Sequence, residues 1–468
     1  MPDCIKSPLR MSRGGRRAHL IATMLLLALS GCASMSPGSA PVEKLLSERT
    51  GVPVRWQQSE ADMTAARART NQLLTEPLSS EAAVEIALTT SPNLQARLAD
   101  LGIARADLAQ SGRLANPGFG YKNTVADGST TIERSLSFNL ASLIFAPTLR
   151  KAEARRFDQT RLAVADDVLR LARDVRIAWT QAVAAQQAAQ RLARLHAASE
   201  GAAMIASEMA RQGNFSKLEQ SREVLRHADT AWQLHRAQQA ALHTREALVR
   251  LLGLGEEHSK LRLPDALPPT PEPLPELADV ESLALAQRPD VQSARGETAA
   301  VAEALGLTHT TRFINVLEGG PVRTTNGGGS RESGYEVRLE IPLFDWGEAR
   351  VARAEAQYMK AVQTLAGTAA NARSAAREAW AAYRLAHASA HHYRSDVLPL
   401  RKTISEETMK HYNGMLISVF ELLADARENT TTALEAIDVE RDSWIARSEL
   451  EYALGGRLPA LPEPEGDQ

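Results

Sequence analysis

The chain is short of aromatic residues, has two cysteines, and runs from Pro147 to Pro264 without a single proline between them. Each scarcity excludes something. Phe, Tyr and Trp together make 4% of the 468 residues, which does not fit a row of ordinary globular domains. Cys4 falls in a leader and Cys32 is the other thiol, so the mature chain can build neither an internal disulfide nor a thiolate metal site. The proline-free window lacks the usual helix breaker and is rich in Ala, Glu, Gln, Arg and Leu, a long-helix composition. Neither sign of charge dominates, at 54 Lys+Arg against 56 Asp+Glu. Without the basic leader the balance moves from −2 to −6, which gives no footprint for nucleic acid. No nucleophile elbow, phosphate loop or zinc-protease spacing occurs, so the sequence offers no catalytic residue and calls for no cofactor.

What is present begins with an export signal. Lys6, Arg10, Arg13, Arg16 and Arg17 precede an apolar run from Leu20 to Leu29, and small residues follow. That run is too short to span a bilayer as a helix. Met11 can serve as an alternative initiator, because the whole signal lies after it. Leu29-Ser30-Gly31-Cys32 resembles a bacterial lipobox, which makes Cys32 the lipidated first residue of the mature chain. Ala33 after it fits the sorting pattern of the outer membrane. Residues 32–78, broken by Pro37, Gly38, Pro41, Gly51 and Pro53, read as a tether.

From Ser79 the chain lays out one plan twice. The first half, 79–254, predicts a helix that continues past Pro92, a β-hairpin over about 118–141, a long helix, a turn at Arg211-Gln212-Gly213-Asn214, and a returning helix that ends at Leu252-Gly253. Residues 255–277 are a proline-rich linker. The second half, 278–455, predicts a helix, a hairpin over about 313–344, a long helix that Pro399 should bend, a turn at Tyr412-Asn413-Gly414-Met415, and a last helix closed by Leu454-Gly455. Residues 456–468 form a tail. Arg377, Ala379 and Trp380 repeat Arg176, Ala178 and Trp179 at an offset of 201, and Gly414 repeats Gly213 at the same offset. Landmarks in register over this distance indicate a tandem duplication.

Gly334 to Arg350 says what surface the protein lives in. Tyr335, Val337, Leu339, Ile341 and Leu343 fall on one face of a strand, and Glu336, Arg338 and Glu340 on the other. A tilted strand of about ten residues crosses a hydrocarbon layer, and apolar-out, polar-in alternation is what a water-filled membrane barrel needs. Gly319-Gly320-Pro321, earlier in this hairpin, predicts a bulge or an early strand end. Two hairpins give four strands, too few to close a barrel, for which about eight is the smallest number. Copies must therefore pool their strands. Phe119, Tyr121, Phe138, Phe145, Phe313, Tyr335, Phe344 and Trp346 stand where an interfacial girdle is needed. The alternative reading, a lipid-anchored periplasmic coiled-coil scaffold, has no use for that alternation.

These features together resemble the TolC family of outer-membrane efflux factors, of the lipoprotein kind. The resemblance covers about Ser79 to Gly455. It is carried by Ile341-Pro342-Leu343-Phe344-Asp345-Trp346-Gly347, Val397-Leu398-Pro399-Leu400, Gly213, Gly414 and the duplicated plan. It implies an α+β membrane protein, a homotrimer whose twelve-stranded transmembrane β-barrel continues into an α-barrel of long antiparallel coiled coils across the periplasm. It further implies that a periplasmic adaptor docks at the two tip turns, Arg211 to Asn214 and Tyr412 to Met415, and that an inner-membrane pump drives drugs or metal ions through this passive duct. Ala141-Ser142-Leu143-Ile144-Phe145 departs from the pattern where the first Pro-Leu-Phe-Asp element should stand.

Three further groups invite a role. Glu421 and Asp425 are candidates for acidic rings in the lumen. Met204, Met209, Met409 and Met415 gather near the tips and suit soft Cu(I), although methionine more often fills adaptable helix junctions. His387 and His391 share one helix face beside His392, without a carboxylate or thiolate close in sequence to make them a metal site.

Overall fold

A computed structural model of the chain describes residues 47, 49–113, 115–126, 128–311, 317–339 and 344–458. Three helices open it: α1 (Glu60–Leu73), α2 (Ser80–Thr90) and α3 (Pro92–Ser111). Ser79 caps α2 by accepting from the Ala82 amide. The expected single helix through Pro92 is two helices. Ser91 turns to φ −61°, ψ 115°, the extended region forced on a residue before proline, and Pro92 starts the next helix at its first position. The second repeat does the same at Arg288, between α6 (Val280–Gln287) and α7 (Pro289–Thr311).

Each short-helix pair leads into a hairpin. β1 (Gly118–Ala126) and β2 (Ser129–Asn139) form the first, β3 (Leu317–Thr325) and β4 (Arg331–Leu339) the second, and the four make one antiparallel sheet in the order β1-β2-β3-β4. Against β4 the register holds straight through Gly319-Gly320-Pro321; against β2 the ladder skips Gly320 and Pro321 and resumes in the same register, so no residue is added and the strand does not end early. A Cβ on Gly320 would sit inside the Leu136 carbonyl, so glycine there allows β3 to pass β2 closely. The turn of the second hairpin is confined to residues 326–330, because Arg331 to Ser333 pair with Arg323 to Thr325.

Long helices leave the sheet. α4 (Leu140–Arg211) follows β2 directly and runs 72 residues through Pro147, about 108 Å at the usual rise. It turns back as α5 (Lys217–Leu252). In the second repeat α8 (Glu348–His392), a π-helical turn at Tyr393–Val397 and α9 (Leu398–Asn413) lead out, and α10 (Val419–Leu454) returns. Both returning helices start on the same capping box, Ser216 with Glu219 and Ser418 with Glu421, and end on a left-handed glycine, Gly253 and Gly455.

The π turn explains an offset that the sequence leaves uneven. Ahead of it, Arg377 and Trp380 stand 201 residues after Arg176 and Trp179; beyond it, Ser418 and Gly455 stand 202 after Ser216 and Gly253. The Leu398 amide bonds the Tyr393 carbonyl, five residues back, so one extra residue is taken up there. Pro399 follows at once and has no amide to restore the α pattern.

The buried core sits where the short helices and the chain between the repeats cross the long ones. Leu78, Ile86, Leu88, Leu248, Leu252 and Trp179 are all buried there, and the Trp179 indole donates to the Leu78 carbonyl at 2.7 Å. Val280, Ala284, Ala376, Tyr383, Leu450 and Leu454 form the matching cluster of the second repeat. The segment expected as a linker is a strap. Its Leu261 and Leu263 are buried, the Leu78 amide bonds Arg262, and the Trp444 indole bonds the Pro268 carbonyl at 2.8 Å. The expected tether is also built into the body from Thr50 on. Val52 and Val54 are buried, and Gln57 is bonded to Gln95 and Thr89.

Candidate functional site

Directly paired residues of an antiparallel sheet project to the same side. The constant register therefore sorts the four strands into two faces. Tyr335 stands opposite Pro321 and Val337 opposite Gly319, Gly319 is paired with Phe138, and Leu136 with Phe119. The part of this face nearest the helices is apolar, with Phe119, Phe138, Tyr335 and Val337 all exposed on it, and its hairpin-turn end carries Arg134, Arg323 and Arg331. The opposite face carries Lys122 across from Glu133 and Glu318 across from Arg338. Arg338 lies 3.2 Å from Glu336 and 3.6 Å from Glu318. Of the five residues expected on the apolar face, Tyr335 and Val337 stand there in register, the Leu339 backbone pairs with Leu317, and Ile341 and Leu343 lie outside the described residues. Among the aromatic girdle residues, Tyr121, Phe344 and Trp346 are also exposed, and Phe313 lies outside the described residues. Among the described residues no helix is long and apolar enough to cross a membrane.

The helical turns lie a full α4 away from the sheet, and they meet. Phe215, next to Asn214, stacks on Phe420 of α10 with ring centroids 4.9 Å apart. The residues expected at the two tips, Arg211 to Asn214 and Tyr412 to Met415, are thereby brought side by side. Their internal correspondence differs from the expected one. Gly213 has φ 78°, and its counterpart is Met415 with φ 59°, whereas Gly414 has an ordinary φ of −78°. The amides agree: Gly213 bonds Ala210 and Asn214 bonds Met209, as Met415 bonds Tyr412 and Leu416 bonds His411. The extra residue of the π turn has moved the left-handed position off the glycine.

No family model matches the chain, and no curated protein matches it in sequence. Solved structures match over most of its length. A membrane protein from Pseudomonas aeruginosa superposes with a TM-score of 0.67 at 19% identity, covering 86% of this chain and 96% of that one. CusC, described in terms of folding and transmembrane channel formation, gives 0.65 at 16% identity over 81% and 92%. The outer membrane protein VceC from Vibrio cholerae gives 0.64 at 15% over 83% and 97%. This is the TolC fold.

Within the TolC fold, Glu421 and Asp425 have partners in their own chain. Glu421 accepts from the Ser418 amide at 2.9 Å as half of a capping box, so its carboxylate closes its own helix. Asp425 pairs with Arg401 and accepts from Ser405 at 2.9 Å, with both charged side chains 12% exposed. It ties α9 to α10. Met204 and Met209 are five residues apart, about 140° around α4. Met409 and Met415 are exposed, the latter beyond the end of α9. Cys32 lies outside the described residues.

The histidines hold the strap. His387 Nε2 lies 3.1 Å from the Pro271 carbonyl, and His391 Nδ1 lies 3.0 Å from Glu272. His392 turns instead to Asp396 at 2.8 Å. Arg394 adds ion pairs to Glu272 at 2.9 Å and to Glu440 at 3.1 Å. The hydrogen bond from His391, helped by the nearby cations, holds the Glu272 carboxyl below the ordinary glutamate range. Sequence spacing hides this cluster, because Glu272 is more than a hundred positions from the histidines.

One residue that the sequence did not single out joins the two hairpins near the tips. Glu223 of α5, 4% exposed, lies 2.5 Å from Arg226 and 4.0 Å from Arg427 of α10. Burial, then the charge of Arg226, pushes the Arg427 guanidinium down, and Glu223 opposes both. An acid at this spacing in a helix rich in Glu and Arg carries no sequence signal; only the packing of α5 beside α10 reveals it.

Proposed function

We propose that the chain is the outer-membrane duct of a tripartite efflux system. Three copies pool their sheets into a twelve-stranded barrel, and their long helices continue it as a tube through the periplasm. The duct is passive. An inner-membrane pump supplies the energy, a periplasmic adaptor docks where Arg211 to Asn214 and Tyr412 to Met415 lie side by side, and lipidated Cys32 adds an anchor in the outer membrane.

One observation carries this reading: a four-stranded sheet with an exposed apolar face, a charged opposite face and two open edges, β1 and β4. A lone sheet of this kind in water exposes both a greasy surface and unpaired backbone, which soluble proteins avoid. In a bilayer every backbone group must be paired, so the edges must close on other copies. Strands of 9 to 11 residues suit that thickness. The length of α4 and the meeting of the tips through Phe215 and Phe420 support a projecting helical tube with its docking end remote from the membrane. The likeness to CusC and VceC supports the same architecture.

Planar-bilayer recording of the purified protein tests the duct. A defined conductance supports it, and a silent bilayer with correctly folded protein present refutes it.

A further inference from the structure

The same register that sorts the apolar residues also sorts the charges of the sheet. All four carboxylates of the strands, Glu133, Glu318, Glu332 and Glu336, lie on the polar face, with Lys122 and Arg338 opposite or beside them. The other three cations, Arg134, Arg323 and Arg331, lie on the apolar face, and no carboxylate shares it. Arg134 and Arg323 are a direct cross-strand pair. Like charges placed opposite each other destabilise a sheet. Both are exposed, and among the described residues neither has an ion-pair partner; Arg323 has only the Ser333 hydroxyl at 3.4 Å. Arg338 on the other face has two glutamates.

Position narrows what completes this pair. Arg134 and Arg323 lie one pleat beyond the Phe119, Leu136, Pro321 and Tyr335 row, about 7 Å along the strands, on the side of the hairpin turns and away from the helices. Tyr121 stands beside Arg134 in the same row, as an aromatic at a membrane interface does. Both arginines belong to the central strands, β2 and β3, so an edge strand of a neighbouring copy is not their partner. A pore-borne anion is excluded by the face they occupy.

We propose that Arg134 and Arg323, with Arg331 at their flank, bind the phosphate groups of outer-leaflet glycolipid, one site per chain. The proposal rests on the barrel reading, which places the turns outside and the apolar face toward lipid. A phosphate between two guanidiniums gives each a charge-assisted, forked contact and cancels their repulsion.

The test uses the full-length protein extracted from outer membranes, with lipid binding followed by native mass spectrometry and conductance recorded on the same preparations. The probes are lipid A bearing its phosphates, the same lipid with the phosphates removed, and inorganic phosphate as competitor. The R134Q/R323Q double variant is expected to bind intact lipid A about ten-fold more weakly or worse, while R134K/R323K retains most of the binding and R338Q all of it. Dephosphorylated lipid A should bind wild type no better than intact lipid A binds the double variant, and inorganic phosphate at matched concentration should not compete.

Equal binding of intact lipid A by wild type and R134Q/R323Q, with conductance preserved in both, overturns this inference and leaves the duct standing. Full competition by inorganic phosphate overturns the lipid assignment in favour of a free anion. Absence of conductance from every preparation overturns the barrel reading and this inference with it.

Discussion

Met415 occupies the left-handed backbone position that Gly213 occupies in the first repeat, at φ 59° against 78°. A residue with a Cβ holds that conformation at a cost of about 1 kcal/mol or more, whereas glycine holds it freely. Met415→Gly should therefore stabilise its turn by about 0.5–1 kcal/mol. Gly213→Ala should destabilise its own turn by about 1–2 kcal/mol, and Gly414→Ala should change little, since its φ is ordinary and its added Cβ meets Lys410 and His411 at van der Waals distance. Amide exchange at the two turns measures all three. Equal sensitivity at Gly213 and Gly414 would show that the offset of 201 persists to the tips.

Glu223 predicts a different outcome at the same end of the molecule. It is buried against Arg226 and faces Arg427 on the other hairpin. Glu223→Gln leaves Arg427 desolvated beside Arg226 with nothing to offset the repulsion. The tips should lose about 1–3 kcal/mol of mutual stability, and channel recordings should show larger or more frequent openings than wild type. Unchanged recordings together with unchanged exchange protection near Glu223 would remove its role as a tie.

The strap gives a pH dependence with a definite sign. Glu272 has its pKa lowered, chiefly by the His391 hydrogen bond. A depressed carboxylate contributes its stability fully above the ordinary glutamate value, about 4.3, and loses it as pH falls through the lowered value. Protection of the Thr270 and Glu272 amides, corrected for intrinsic exchange, should hold from neutral pH to about 4.3 and decline below it. In His391→Gln the decline should move upward toward the ordinary value. Coincident curves for the two proteins would show that the strap is held by other contacts.

Much of this architecture could be read from residue order, and the failures have physical causes. Alternation at Tyr335 and Val337 identified the sheet face because a strand's period is carried by its own residues. Long helices were legible where proline is missing. The break at Pro92 was missed because proline at the first turn of a helix and proline inside one look alike in sequence; only the extended ψ of Ser91 separates them. The intrachain partners of Glu421 and Asp425, a helix end and Arg401, were not legible because they are matters of register and packing. The strap cluster around Glu272, and Glu223 with Arg427, depend on contacts between distant segments, for which a single sequence has no period or motif. The one-residue shift at the tips was visible as the mismatch between offsets of 201 and 202, and its cause, the π turn at Tyr393–Val397, required the backbone.

The most direct test of the account asks whether β1 of one copy pairs with β4 of the next. Single cysteines placed along β1, at Lys122 and Thr124, are combined with single cysteines along β4, at Glu332, Gly334 and Glu336, and the protein is oxidised in its native membrane. The account predicts that at least one pairing gives a covalent ladder of one, two and three copies that stops at three. Monomers in every pairing, or a ladder that ends at another number, would contradict it.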